Sequence, residues 1–260
     1  MTASKVPASR PLEPQRKAIV IGASSGIGAA LVRRLAAQGY TVAALARRER
    51  ELNRLCGEVN QAAGQTRALP FVHDVRQYEE VPHLFQTITR DLDGLDLIVY
   101  VAGIQPPIAL NEYNFAKDAD MMAVNVLGAM AWLNQAAARF ERAQAGQIVG
   151  ISSIAGDRGR RAFPGYHTSK GALSIYLESL RNRLDRYDVT VTTVKPGFVD
   201  TPLLANAEKT FWVISPEAAA RQITEAVRRR KQTVYVPGRW GLVSLVIRHI
   251  PSVIFRRMSL

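Results

Sequence analysis

Short apolar runs alternate with longer amphipathic segments along most of the chain. Residues 17–22 are rich in β-branched side chains and end in a glycine, which is typical of a buried strand. Residues 26–38 carry apolar side chains at helical spacing, and the glycine that follows predicts the end of a helix. Continued to residue 236, this pattern predicts strands over 17–22, 41–46, 67–72, 95–101, 147–152, 189–194 and 233–236. It predicts helices over 26–38, 48–63, 78–90, 116–143, 164–187 and 216–230.

The order of these elements predicts an α/β fold. Strands that are apolar throughout are typical of a parallel sheet covered on both faces. We therefore expect a single-domain, Rossmann-like, doubly wound parallel sheet of about seven strands with helices on both faces, which binds its ligand at the carboxyl ends of the strands. We expect a disordered, proline-containing leader over 1–16, the Rossmann-type domain over 17–238, and a basic apolar C-terminal extension over 239–260.

Composition and charge narrow the class of protein. With 47% hydrophobic and 22% charged residues among 260, the chain is typical of a globular protein and unlike disordered or collagenous chains. Cys56 is the one cysteine, so no intramolecular disulfide can form and we expect a reducing, cytoplasmic setting. It lies in a charged helical stretch with no obvious His partner nearby, which argues against a catalytic thiol. The net charge of +12 is concentrated at the C-terminus, because eight basic residues lie beyond residue 227 and no acidic residue follows Glu225.

A glycine-rich turn follows the first predicted strand, in the sequence GASSGIG over residues 22–28. Gly22, Gly26 and Gly28 allow a tight turn whose backbone N–H groups approach a phosphate, and the following helix directs its positive end at that anion. Ser24, Ser25 and Ile27 complete the predicted pyrophosphate site. The alternative is a tight strand–helix turn without a ligand.

Two arginines, Arg47 and Arg48, stand where the second predicted strand ends. A carboxylate at this place binds the ribose of NAD, whereas arginine can pair with the 2′-phosphate of NADP. We therefore expect NADP(H), held mainly by Arg47, with Arg48 and Ser24 secondary. The alternative is that both arginines are simply solvated.

A tyrosine and a lysine, Tyr166 and Lys170, are four residues apart near the start of a predicted helix, and so lie on one of its faces. A free tyrosine has a pKa near 10, and a neighbouring ammonium group is expected to lower it towards the working range of an acid–base catalyst. This pair alone is common by chance, but Ser152 and Ser153 end the fifth predicted strand upstream of it.

The Gly-x-x-x-Gly-x-Gly turn, the Tyr-x-x-x-Lys pair and a serine thirteen residues before that tyrosine resemble the short-chain dehydrogenase/reductase family. The resemblance extends over about residues 17–236. It departs from the family at Ile21, where the family usually has Thr, and at Tyr100 and Val101, where it commonly has two asparagines. These departures indicate an atypical branch.

The resemblance implies an oxidoreductase that transfers a hydride between NADPH and a carbonyl or alcohol substrate. It gives Tyr166 the role of proton donor, Ser153 that of hydrogen bonding the reacting oxygen, and Lys170 that of binding the nicotinamide ribose. Asn125 would position a water that links Lys170 to solvent, although a solvent-facing or core-bonded asparagine is the alternative. No metal is expected.

The resemblance also implies further cofactor contacts. Asp74 would approach the adenine ring, although it could equally cap a helix, and Thr201 would reach the nicotinamide. The remaining expected contacts are Val75, Ala102, Gly103, Pro196, Gly197 and Val199.

The substrate and partners are less constrained by the sequence. The segment 202–214 would form a substrate lid, and its Leu203, Leu204, Phe211 and Trp212 suggest an apolar aldehyde, ketone, lipid-like or steroid-like compound. The two long predicted helices would form the homodimer or homotetramer interface common in the family. The alternative function is a non-catalytic NADP(H)-binding or membrane-peripheral regulatory protein on the same fold.

The C-terminal extension mixes apolar residues with arginines. That pattern suits an interfacial helix on the anionic inner face of a membrane. The alternative is a helix packed over the substrate cleft or on a partner subunit. Nucleic acid is not expected as a partner, because the extension does not combine stacking aromatics with a basic groove.

Overall fold

A computed structural model describes residues 15–206 and 210–258. The strands that it describes form one parallel sheet in the order β3-β2-β1-β4-β5-β6-β7. The predicted doubly wound fold is therefore confirmed, with a reversal of strand order between β1 and β4. The strands are β1 Lys17–Ile21, β2 Thr41–Ala46, β3 Ala68–Val72, β4 Leu97–Tyr100, β5 Gly146–Ile151, β6 Val189–Pro196 and β7 Thr233–Val236.

Helices cover both faces of this sheet. One core cluster joins it to α1, α2 and α7, and a second cluster joins its other face to α3, α5 and α6. The helices in the described residues are α1 Gly26–Ala37, α2 Glu49–Ala63, α3 Val81–Asp91, α4 Phe115–Met122, α5 Gly128–Ala143, α6 Pro164–Leu184, α7 Pro216–Arg228, α8 Trp240–His249 and α9 Ser252–Phe255.

The helix expected over 116–143 is present as a continuous helical segment, but it contains a π-helical turn, Ala123–Leu127, between α4 and α5. Two tyrosine hydroxyls support this turn from outside. Tyr78 donates to the carbonyl of Ala123 at 3.1 Å, and the fully buried Tyr100 donates to that of Val124 at 2.6 Å. Gly128 makes room for the second bond, since a Cβ there would lie 2.6 Å from the Tyr100 hydroxyl. Tyr100, a departure from the family pattern, thus stabilises the turn that carries Asn125.

Cys56 lies in the first core cluster and is buried. Burial raises the pKa of its thiol to about 11, so the group stays protonated at neutral pH. A buried thiol that stays protonated is a poor nucleophile, which agrees with the argument against a catalytic Cys56.

The end of the expected N-terminal leader is hydrogen-bonded to the start of β2 in the structure. Of the expected leader over 1–16, residues 1–14 lie outside the described part, but the carbonyl of Arg16 accepts a hydrogen bond from the backbone N–H of Thr41 at 2.9 Å.

The expected lid contains a short 3₁₀ helix, Pro202–Asn206, and its residues 207–209 are also outside the described part. Among the described residues, no helix has the length and apolar character needed to cross a membrane.

Candidate active site

The glycine-rich turn lies against the end of β4. Gly22 has a φ of +93°, and a Cβ there would lie 2.5 Å from the backbone nitrogen of Ala102. A Cβ on Gly28 would lie 2.1 Å from the carbonyl oxygen of Gly22, so α1 begins directly above the turn. Side chains at these two positions would collide with backbone, and the sequence therefore leaves a partly buried cradle of peptide groups at the reversal point of the sheet.

The first turn of α1 lacks a protein group that compensates its positive end. Ser25 occupies the N-cap with extended backbone but makes no side-chain cap bond, and the first turn has no acidic residue. Arg48 donates to the hydroxyl of Ser24 at 2.9 Å and to that of Ser25 at 2.6 Å. The arginine, the two hydroxyls and the helix N-terminus together form a site suited to an anion.

The two arginines at the end of β2 make different contacts. Arg48 reaches the glycine turn, whereas Arg47 lies 3.7 Å from a carboxylate oxygen of Asp74, after the neighbouring strand. Asp74 is held further by Arg76 at 2.6 Å, and the hydrogen bonds from Arg76 lower the pKa of the Asp74 carboxyl to about 2. Arg47 therefore pairs with a carboxylate, whereas Arg48 bonds to two hydroxyl groups.

The helix-cap alternative for Asp74 is wrong. Its carboxylate accepts the backbone N–H of Arg76 at 3.0 Å and so closes a local turn, while α3 begins at Val81. The Val75 side chain is buried in the second core cluster, so only its backbone could contact a cofactor.

The two serines after β5 have separate positions. Ser152 is buried and donates to the carbonyl of Lys170 at 2.8 Å, which joins the strand to α6. Ser153 accepts the backbone N–H of Ala155 at 3.0 Å and lies 3.5 Å from the carbonyl oxygen of Pro196. Ser153, and not Ser152, thus lies between the ends of β5 and β6.

Tyr166 and Lys170 lie on the first turns of α6, and both are buried. The Ser153 side chain is close enough to the Tyr166 hydroxyl to lower the pKa of that hydroxyl. Lys170 donates from Nζ to the carbonyl of Ile151 at 2.9 Å and lies 5.8 Å from the centroid of the Tyr166 ring. The structure therefore brings three of the four expected catalytic residues, Ser153, Tyr166 and Lys170, together at the carboxyl end of β5.

The expected lowering of the tyrosine pKa is wrong for this structure. Burial raises the pKa of Tyr166 to about 12, and the nearby Ser153 side chain opposes this increase. Burial also lowers the pKa of Lys170 to about 8. The lysine lies over the ring face and does not contact the hydroxyl, so desolvation has the larger effect on both groups. At neutral pH Tyr166 is a neutral proton donor beside a lysine that remains mostly charged.

Asn125 is fully buried in the π turn, so its solvent-facing alternative is wrong. Its Oδ1 accepts the backbone N–H of Ile104 at 2.8 Å, and its Nδ2 donates to the Ile104 carbonyl at 3.0 Å and to Ser169 Oγ at 2.9 Å. These bonds join the loop after β4 to α6. Gly103 lies in the gap between this amide and Lys170, where a Cβ would be 3.2 Å from Nζ.

The loop after β6 reaches back to the glycine turn. Pro196 ends the strand, Val199 forms a parallel bridge with Ile214, and a Cβ on Gly26 would lie 2.8 Å from the methyl group of Thr201. The expected phosphate and nicotinamide regions are therefore adjacent in the folded chain. Ala102 adjoins the same turn, since its backbone N–H bonds to the carbonyl of Ile21 at 2.9 Å.

Trp240 lies beside this loop, although the sequence interpretation had placed it only in the tail. It is buried, and a Cβ on Gly197 would lie 1.9 Å from its Nε1, so the glycine is needed for this close packing. Its ring centroid is 5.1 Å from that of Phe211 and 5.6 Å from that of Phe198. With Trp212 these side chains form an aromatic cluster at the edge of the expected lid.

Asp157 was also missed, because its partners are distant in sequence. The carboxylate is almost fully buried and pairs with Lys195. It also accepts from the Tyr235 hydroxyl at 2.9 Å and from Ser244 Oγ at 2.6 Å. The Asp157 carboxylate therefore fixes the loop that follows Ser153 to β6, β7 and α8.

Within residues 15–206 and 210–258, no group of three or more His, Cys, Asp or Glu side chains forms a candidate metal site.

Comparison with known proteins identifies the family. The family model for short chain dehydrogenases matches residues 16–211. An uncharacterized oxidoreductase of Myxococcus xanthus is 32% identical, over 92% of this chain and 94% of its own length. A fatty acyl-CoA reductase of Acinetobacter baylyi is 29% identical, over 84% of this chain and 74% of its own length.

A solved structure supports the fold. A short-chain dehydrogenase from Sphingobium yanoikuyae, in complex with NADPH, matches with a TM-score of 0.78 over 91% of this chain and 96% of its own, at 19% identity. Because the family model covers most of the sequence, the protein belongs to the short chain dehydrogenase family and is an oxidoreductase acting on CH–OH/C=O groups.

Proposed function

We propose that this protein is an NADPH-dependent reductase of apolar aldehydes or ketones. The observation that carries this proposal is the buried group of Ser153, Tyr166 and Lys170, which faces the same edge of the sheet as the glycine cradle. A proton donor and a nucleotide-binding turn at one edge are the parts that carbonyl reduction requires.

The residues present fit a nicotinamide cofactor. The backbone cradle at Gly22 and Gly28 and the uncompensated start of α1 suit a pyrophosphate. Arg48, with Ser24, would hold a 2′-phosphate, since its guanidinium already lies on the cradle and the end of β2 lacks a carboxylate. This choice of arginine differs from the one the sequence predicts.

Other residues would hold the remaining parts of the cofactor. Asp74 and the backbone of Val75 are proposed for the adenine side. Lys170, Thr201 and the backbone of Val199 are proposed for the nicotinamide side, together with Gly103, Pro196 and Gly197. Bound NADPH supplies a hydride.

Side chains of this protein would bind and protonate the carbonyl oxygen of the substrate. Ser153 donates a hydrogen bond to the carbonyl oxygen, and Tyr166 transfers its hydroxyl proton to that oxygen as negative charge develops. The raised pKa of Tyr166 keeps this proton in place at neutral pH. The charge of Lys170 stabilises the phenolate that remains, and Asn125 positions the loop and helix around that lysine.

The aromatic cluster supports an apolar substrate. Phe198, Phe211, Trp212 and Trp240 stand together where the loop after β6 meets the expected lid. Phe211 and Trp212 are 51% and 44% exposed, so they offer apolar contact area. The Acinetobacter relative is a fatty acyl-CoA reductase, which is consistent with a long-chain substrate.

The test follows NADPH absorbance with aldehydes and ketones graded from short and polar to long-chain and steroid-like. We expect kcat/KM to rise with apolar size and Tyr166→Phe to lower kcat by about a hundredfold or more. Tyr176→Phe is the matched control, because that hydroxyl bonds to Asn134 outside the site. NADPH binding without turnover of any compound would favour the non-catalytic alternative.

A further inference from the structure

The C-terminal helices are fixed to the body of the protein on one side. Trp240 and Ser244 of α8 are buried, and Ser244 Oγ donates to Asp157 at 2.6 Å. The guanidinium of Arg158 donates to the carbonyl of Ile250 at 2.6 Å and lies 3.9 Å from the centroid of the Phe255 ring. These contacts determine which side of α8 and α9 faces the protein and which side faces outward.

The outward side is apolar. On α8 the exposed residues Leu242, Leu245 and Val246 follow the spacing i, i+3, i+4, which forms one stripe on a helix. Their exposures are 71%, 58% and 63%, and Val253 and Ile254 of α9 are 59% and 53% exposed. We call these five residues the docking face. Exposed apolar groups clustered in this way mark interaction sites on soluble proteins.

Four arginines flank the residues of the docking face in the sequence. Arg239 precedes α8, Arg248 lies in its last turn, and Arg256 and Arg257 follow α9. All four are exposed, and none forms an ion pair within the described part of the chain. No acidic residue follows Glu225 in the sequence, so this segment has no carboxylate side chain of its own to offset the arginines.

Exposed apolar residues flanked in the sequence by arginines favour one kind of partner. We propose that the docking face binds the surface of an anionic lipid bilayer, with the apolar residues among the acyl chains and the arginines at the headgroups. A second copy of the chain fits less well. In a two-fold interface the same patch meets itself, and the arginines of one copy would face those of the other.

The test is sedimentation of the full-length protein with vesicles. One set contains phosphatidylcholine alone and the other contains phosphatidylcholine mixed with phosphatidylglycerol. We expect binding to the anionic vesicles only, weakened by added salt because the arginine contribution is screened. Equal binding to both vesicle types, or binding to neither, would overturn the proposal.

Two variants separate the apolar and charged contributions. Leu245→Asp should weaken binding to anionic vesicles at least about tenfold, because it places a carboxylate among acyl chains. Replacing Arg248, Arg256 and Arg257 together by Gln should weaken it about a hundredfold, at roughly fivefold for each arginine. Unchanged binding in either variant would contradict the proposal.

Matched controls lie on other surfaces. Leu110→Asp also places a carboxylate at an exposed leucine, and Gln at Arg50, Arg90 and Arg142 removes the same charge elsewhere. Both controls should bind as the wild type does. All variants should keep the circular dichroism and unfolding temperature of the wild type, since the changed side chains are exposed. A fall in molar mass by light scattering with Leu245→Asp, without vesicle binding by the wild type, would assign the face to self-association instead.

Discussion

Lys170→Met should stabilise the protein while impairing catalysis. The ammonium is 3% exposed, and burial lowers its pKa from 10.5 to about 8. A difference of this size corresponds to about 3 kcal/mol of destabilisation while the group is charged. The variant loses the bond from Nζ to the carbonyl of Ile151, worth about 1 kcal/mol. We therefore expect a net gain of about 2 kcal/mol in the free energy of unfolding at pH 7.

The size of this effect depends on pH between about 8 and 10.5. Between the folded pKa of about 8 and the unfolded value of 10.5, the unfolded state binds more protons, so wild-type stability rises with pH. The wild-type deficit is complete below about pH 8 and disappears towards pH 10.5. The advantage of Lys170→Met should therefore decline to about zero as the pH approaches about 10.

Urea titration of the wild type and of Lys170→Met, without added nucleotide, measures the difference in their free energies of unfolding. Repeating it at neutral and at alkaline pH shows how that difference changes with pH. Lys231→Met serves as the control, because that lysine is exposed, and should leave the stability unchanged at each pH. A Lys170→Met protein less stable than the wild type at pH 7 would refute the reasoning. So would an advantage that does not depend on pH, because the desolvated charge would then not be its source.

The remaining predictions concern the cofactor, the π turn and the pH profile. In steady-state kinetics, Arg48→Ala should raise the KM for NADPH about ten- to a hundredfold and leave the KM for NADH nearly unchanged. A larger increase in the KM for NADPH from Arg47→Ala would instead support Arg47 as the main contact, as the sequence predicts. Tyr100→Phe should reduce the free energy of unfolding in urea by about 1–3 kcal/mol, because it leaves the buried carbonyl of Val124 without this donor; unchanged stability would contradict that role. The kcat for carbonyl reduction should fall as the pH rises through about 8, because Lys170 loses its proton there; a flat rate profile to about pH 10 would show that its charge is not needed.

The fold was predictable because its signals are local. The central strands β1, β2 and β4 are almost entirely apolar over their own lengths, and Gly39 and Gly64 end the helices before the next strands begin. The glycine turn was predictable for the same reason, since its function depends on contiguous residues. Tyr166 and Lys170 share a helix face through spacing alone.

Features that depend on partners distant in sequence were not predictable. The π turn follows α4 without a break in the helical pattern, and its support comes from Tyr78 and Tyr100, which are brought near by α3 packing and the sheet. Which arginine reaches the glycine turn depends on Asp74, after the adjacent strand. The pKa of Tyr166 depends on how deeply α6 packs, and the spacing of Tyr166 and Lys170 does not reveal this.

The most direct test of the central claim is transfer of labelled hydride. The protein is incubated with an apolar ketone and with NADPH deuterated at the transferable position of its nicotinamide, and the product is analysed by mass spectrometry. The account predicts an alcohol with deuterium on the carbinol carbon, formed by the wild type and at least about a hundredfold more slowly by Tyr166→Phe. Alcohol without the label, or equal rates for the two proteins, would contradict it.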